Sequence, residues 1–267
     1  PAPYTVTLDG AAVCSGDTNV FSLYSLEPAH TYTLAVTLDG VTDTLTFTTA
    51  EESFFVDASR YGLVANGVTD NTAKLQAALS TCPAGGTVYL PAGTYRTQSL
   101  FLQSNTTLYL EKGCTLLGGT DRRDYPILPG VLPCHNEKDE KYLALWEGNP
   151  LDSFAALINV INAENVTITG EGTLDCNAQN GDWYQNPKQK KIAWRPRLFF
   201  TSGAKNVVLH GVLACNSYSW TIHPTYSENV DILNIRIRNS SQSPNTDGID
   251  PESCKNVNII GNHVHVG

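Results

Sequence analysis

The sequence predicts an all-β protein in two parts: a small antiparallel β module over residues 1–52 and a parallel β-helix over residues 53–267. Three observations carry this reading. Charged residues are only 16% of the 267-residue chain while Thr, Asn, Gly and Val are frequent, unlike the Glu- and Lys-rich composition of helical bundles. An Asn-Val pair followed by alternating β-branched residues recurs in the second half. Only one stretch has the apolar spacing of a helix.

The first module is read from short alternating runs at Tyr4–Leu8, Tyr32–Val36 and Thr44–Phe47. Asp9-Gly10 and Asp39-Gly40 are hairpin signals, because that turn needs two residues at positive φ. The segment Leu26-x-Pro28-x-x-x-Tyr32 resembles the tyrosine corner of fibronectin type III domains. The expectation is therefore a fibronectin type III-like β-sandwich module holding about half the usual strands. Glu51-Glu52-Ser53 is the expected linker.

The second pattern starts at Phe54. Asp70 is the expected N-cap of a helix over 71–79, with Leu75, Ala78 and Leu79 as its apolar stripe. Cys82-Pro83-Ala84-Gly85-Gly86 ends it. The helix is placed to cover the first rung of the β-helix. Asn165-Val166-Thr167-Ile168, Asn206-Val207-Val208-Leu209, Asn229-Val230-Asp231-Ile232 and Asn256-Val257-Asn258-Ile259 form the repeat, spaced by 41, 23 and 27 residues. A period in the twenties built from strands and turns is a solenoid, and the longest spacing contains an insertion between Asp175 and Arg197. Val257 and Ile259 are expected to point inward, and the Asn residues to stack at one corner with each amide bonded to the next rung.

The net charge of −9 argues against a general nucleic-acid binder, which needs a positive surface. No apolar run approaches the roughly 20 residues that cross a bilayer. The seven cysteines, Cys14, Cys82, Cys114, Cys134, Cys176, Cys215 and Cys254, form no C-x-x-C pair. They are read as buried thiols in a reducing compartment, with a few disulfides in a secreted protein as the alternative. The chain has no Met and stops at Gly267 within a β pattern, so a fragment of a longer protein is expected.

The residues richest in chemistry are Ser243-Pro244-Asn245-Thr246-Asp247-Gly248-Ile249-Asp250-Pro251-Glu252. Composition alone makes this a turn. Under strict alternation Asp247 and Asp250 face opposite sides, so they are not expected to pair as acid and base. Lys188, Lys190, Lys191, Arg195 and Arg197 fall within ten residues of the insertion. They are either a solvated loop or a positive wall for an anionic ligand. Trp183 and Trp194 flank them, as sugar platforms or as core. His223 is expected on the face opposite Trp220, Ile222 and Pro224, either lining a cleft or serving structure. His263 and His265 share a face, without an apparent third metal ligand.

The Asn-Thr-Asp-Gly motif in a solenoid resembles the polygalacturonases, glycoside hydrolase family 28. So do Phe55-Val56-Asp57, Asn66-Gly67-Val68-Thr69-Asp70 and Gly85–Tyr95, which look like the opening of pectin-enzyme β-helices. Trp146-Glu147-Gly148-Asn149-Pro150 and Trp194-Arg195-Pro196-Arg197 resemble bacterial members, some of which carry a fibronectin-like module in front. The resemblance spans residues 54–267. It implies a right-handed parallel β-helix and inverting hydrolysis of α-1,4-galacturonosyl bonds, with Asp247 helping to activate water. Asn245, Asp250, His223, Arg195, Arg197, Lys191 and Trp183 are then the candidate substrate-binding residues. The family's adjacent aspartates, one of them the general acid, are due just beyond Gly267. The Gly-His-Gly and Arg-x-Lys motifs are missing too, so residues 1–267 alone are expected to be inactive and poorly soluble.

An inverting glycosidase needs two carboxyl groups about 6.5–9.5 Å apart, and neighbouring rungs about 4.8 Å apart suit that separation. The expected partner is an acidic galacturonide, with no cofactor, no nucleic acid and no membrane. Exo action is favoured by analogy, and the cytoplasm is the expected compartment, with secretion as the alternative. Two competing readings are a calcium-dependent pectate lyase, for which no cluster of Asp ligands is visible, and a non-catalytic carbohydrate-binding β-helix.

Overall fold

The computed structural model describes residues 2–133 and 140–267, so Cys134 lies outside the described residues. The chain divides into two compact units, Pro1–Ser53 and Phe54–Gly267.

The first unit is one antiparallel sheet of β1 (Tyr4–Leu8), β2 (Ala11–Gly16), β3 (Thr31–Leu38) and β4 (Val41–Thr48) in the order β2-β1-β3-β4. Both Asp-Gly pairs turn hairpins, with φ of 49° and 81° at Asp9 and Gly10 and of 49° and 78° at Asp39 and Gly40. Strand β2 has no clean alternation and was not legible in the sequence. Val6, Leu8 and Tyr32 are the buried apolar residues of this sheet. The Tyr32 hydroxyl accepts from the Glu27 N–H at 2.8 Å, the bond a tyrosine corner makes.

The second unit is a parallel β-helix with three sheets. Two have seven strands each and the third has four. Along the first sheet, Val166, Val207, Val230 and Val257 lie in register, as do Ile168, Leu209, Ile232 and Ile259. The first three of each row are fully buried, because one face of every strand is closed by the other sheets. Each such side chain stabilises the fold by about 1.5–3 kcal/mol. Val257 packs partly against the core, whereas Ile259 is 47% exposed, since no described rung lies on its far side.

The corner expected to hold stacked amides does so. Asn165 donates to Asn105, Asn206 to Asn165 and Asn229 to Asn206, each at 2.8 Å, and Asn256 donates to Asn229 at 3.0 Å. All five residues are left-handed, with φ between 53° and 59°, a region Asn tolerates better than other side chains. Asn105 begins the ladder and was missed, because Thr106 replaces Val after it.

The helix runs over Thr72–Thr81 and buries Leu75, Ala78 and Leu79 in the β-helix core. Its N-cap is Asn71, not Asp70. The Asn71 amide is drawn away to the Val64 and Thr69 backbone, while the Asp70 carboxylate accepts from the Thr72 N–H at 2.8 Å. Gln76 fastens the helix by bonding both the N–H and the carbonyl of Phe101. The six described cysteines are all free.

Candidate functional site

The segment from Asp247 to Glu252 is laid along the strand Ile222–Thr225 as the next rung of the third sheet. Thr221 N–H donates to Asp247 O at 2.9 Å and Ile222 N–H to Gly248 O at 3.1 Å. Asp250 N–H returns a bond to Ile222 O, and Glu252 N–H to Pro224 O, each at 2.9 Å. The preceding turn is pinned by buried Asn239, whose amide donates to Thr221 Oγ1 and Thr246 O and accepts from Ser217 N–H.

Ile249 packs against the core, and Asp250 beside it is half-buried, with its Oδ2 covered and without a hydrogen-bond partner. The chain bends at Gly248, and Asp247 is exposed. The bend interrupts the strict alternation, and the two carboxylates are near enough for Asp250 to feel Asp247. Burial, and then Asp247, push the Asp250 carboxyl up to about 6, with Arg197 opposing. Such a group exchanges its proton in weakly acidic solution, beside an exposed carboxylate.

Beneath this rung lie two arginines. Arg195 Nη1 donates to Pro244 O and Tyr218 O at 2.8 Å, and Nη2 donates to Asn245 Oδ1 at 2.7 Å. Arg197 donates to His223 Nδ1 at 3.2 Å, Ser219 Oγ at 2.8 Å, Leu145 O at 2.9 Å and Arg195 O at 3.1 Å. Its guanidinium carbon sits 4.5 Å from the Trp146 ring centre and 4.6 Å from that of Trp220. Burial lowers Arg197 to about 9 and Arg195 to about 10, so both stay charged at neutral pH.

His223 completes the layer. Burial lowers it to about 4, against the opposing hydrogen bond to Glu252, so the ring is neutral near pH 7. Arg197 occupies Nδ1 as a donor, so the ring proton is on Nε2 and is donated to Glu252 Oε2 at 3.1 Å. That bond holds the Glu252 carboxyl below its ordinary value.

Several candidates move accordingly. Arg195 and Arg197 are each 4% exposed and form no surface wall, because main-chain carbonyls of adjoining rungs draw them inward. His223 has no exposed surface and lines no open cleft: Trp220 and Phe200 cover it. Trp183 is fully buried among Tyr125, Phe154 and Tyr218 with Arg122 at 4.6 Å, so it is core and not a sugar platform. Lys191 is half-buried against Asp182 at 3.4 Å. Lys188 and Lys190 are exposed, as are His263 and His265. Asn245 is exposed and left-handed at φ 55°. Sequence reasoning missed Asn239, which gave no local signal, and it singled out the segment ending at Glu252 without giving Glu252 a role. Among the described residues, no group of three His, Cys, Asp or Glu is gathered for a metal ion.

A "Probable polygalacturonase" of Vitis vinifera is 34% identical over 206 residues, covering 74% of this chain and 40% of that protein. An "Exo-poly-alpha-D-galacturonosidase" of Dickeya chrysanthemi is 32% identical over 143 residues, 52% of this chain and 23% of its own length. The chain thus spans less than half of either relative. A hyperthermoactive exopolygalacturonase from Thermotoga maritima superposes with a TM-score of 0.67 at 29% identity, covering 80% of this chain and 52% of its own. A family 28 exopolygalacturonase of Yersinia enterocolitica shares the fold with a TM-score of 0.75 at 21% identity, covering 98% of this chain and 58% of its own. Residues 55–114 match the family "Rhamnogalacturonase A/epimerase, pectate lyase-like". Residues 144–267, the rungs that carry Arg195, His223 and the Asn245–Asp250 segment, match the family "Glycosyl hydrolases family 28".

Proposed function

We propose that this chain is part of a glycoside hydrolase that cleaves α-1,4-galacturonosyl bonds of pectin or oligogalacturonides with inversion and in exo fashion. The observation that carries the reading is the exposed Asp247 close to half-buried Asp250 on a rung whose turn is fixed by Arg195 and Asn239. Asp247 takes the proton of the attacking water. By the family resemblance, the general acid is one of a pair of adjacent aspartates, a pair that residues 1–267 do not contain. The unit over 1–52 is read as a fibronectin type III-like module, supported by the Tyr32–Glu27 bond.

The test is Asp247→Asn in the whole protein. It keeps the shape of the side chain and removes its basicity, so kcat falls by roughly 10²–10⁴-fold while trigalacturonate still binds. Less than a tenfold loss would remove Asp247 from the role of base. Proton NMR of the first product from the unsubstituted protein should show an inverted anomeric centre. An ultraviolet-absorbing unsaturated product would instead identify elimination.

A further inference from the structure

Arg195 and Arg197 lie directly beneath the Pro244–Glu252 segment, and among the described residues neither guanidinium reaches a carboxylate within 4.0 Å. All their hydrogen-bond partners are neutral: carbonyls of residues 145, 195, 218 and 244, the Asn245 amide oxygen, the Ser219 hydroxyl and the neutral His223 ring. Arg195 Nε has no partner at all. Two adjacent buried cations without ion pairs repel each other and are costly to desolvate. Neutral donors could hold the same carbonyls. The positive charge therefore answers to anions outside this hydrogen-bonded set.

Those anions lie one layer above. Arg195 holds Asn245, two residues before Asp247. Arg197 reaches Glu252 through the His223 ring. The indoles of Trp146 and Trp220 enclose Arg197, and such low-dielectric walls direct a buried charge's field towards the open side. A rung carrying Asp247, Asp250 and Glu252 would otherwise repel a polyanion, in a protein whose net charge is already −9.

We propose that Arg195 and Arg197 determine specificity from beneath the site, as a buried field that lets the Asp247–Glu252 rung accept an acidic glycan without either arginine touching it. The proposal rests on the galacturonide reading above. Being buried, this field is little screened by salt, unlike that of exposed lysines.

The experiment compares binding of trigalacturonate and of its methyl ester by calorimetry. It uses the whole protein carrying Asp247→Asn to stop turnover, and that protein with Arg197 intact is the reference. Adding Arg197→Gln should weaken the acid roughly 10- to 30-fold, the scale of one unit charge acting across about 8–10 Å of protein. The ester should change by less than about threefold. Arg197→Lys, which keeps the charge and loses the fork of hydrogen bonds, should hold the acid within about fivefold. Equal losses for acid and ester would make Arg197 a structural residue and overturn the proposal. Raising salt from about 0.05 M to about 0.5 M should weaken the acid by no more than about threefold, whereas a larger fall would assign the preference to exposed charges and overturn the proposal. If the protein with Arg197 intact binds ester as well as acid, the proposal fails and the glycan reading stands. If it binds neither, the galacturonide reading fails and takes the proposal with it.

Discussion

At the scale of single residues, Asp250 couples the site to pH. Its folded value of about 6 lies above the ordinary carboxylate value near 3.9, chiefly through burial. A raised carboxyl is protonated in both states below about pH 3 and costs almost nothing there. As pH rises through 4 to 6, the unfolded chain ionises first, so stability falls and stays low above about 6. Asp250→Asn should therefore raise stability by on the order of 1–2 kcal/mol at pH 7.5 and leave it almost unchanged at pH 3.5. Denaturant titrations at the two pH values measure this, and an equal gain at both would show that the charge is not the cause. Gly248 is constrained differently. A Cβ there would lie 2.7 Å from Val264 Cγ1. Gly248→Ala should cost about 1–3 kcal/mol, and Val264→Ala added to it should return most of that loss. Simple additivity of the two substitutions would refute the contact as the reason for glycine. The motif that contains Gly248 was visible in the sequence, but its contact with Val264, sixteen positions away, exists only once the next rung is laid down.

At the scale of elements, the asparagine ladder combines a local preference with a long-range one. Each Asn tolerates its left-handed backbone, and each amide links neighbouring rungs. Asn206 both donates to Asn165 and accepts from Asn229. Asn206→Ala should cost about 2 kcal/mol, from two exposed amide bonds and the left-handed strain. Asn206→Gly removes the same bonds without the strain and should cost about half as much. Asn256→Ala, which loses one described amide bond, should fall between them or below. Urea titrations rank the three. If Gly costs as much as Ala, backbone conformation is not what selects Asn here. The helix gives the opposite lesson: its apolar stripe was legible, but its cap was not, because the Asn71 amide serves the tertiary neighbour Val64 instead of its own helix.

At the scale of the whole molecule, rungs stabilise one another through nearest-neighbour contacts. Val166, Ile168, Val207 and Leu209 have neighbours on both sides and no exposure, whereas Ile259, Ile260 and Val264 are 46–51% exposed. In the 1–267 chain, amide hydrogen exchange should therefore be slowest in the strands Glu164–Gly170 and Lys205–His210 and at least about tenfold faster in Lys255–Ile260. Uniform protection along the axis would mean that the solenoid opens as one cooperative body. The unit over residues 1–53 should exchange independently of both, as a separately packed sheet.

The sequence by itself determined the β-helix, the Asp-Gly hairpins, the asparagine corner and the importance of the Asn245–Asp250 turn. Each depends on interactions that repeat at fixed spacing or close within a few residues: side-chain alternation, left-handed turns and amide stacking. Only the tertiary structure decided that Arg195, Arg197, His223 and Trp183 are buried, that Asp250 is half-buried close to Asp247, and that Asn239 and Glu252 help build the site. Burial of a long polar side chain depends on which carbonyls and rings the neighbouring rungs present. Those partners lie some 20–50 residues away along the chain. A local pattern of charges carries no record of them, so a buried guanidinium and a solvated one read alike until the coils are stacked.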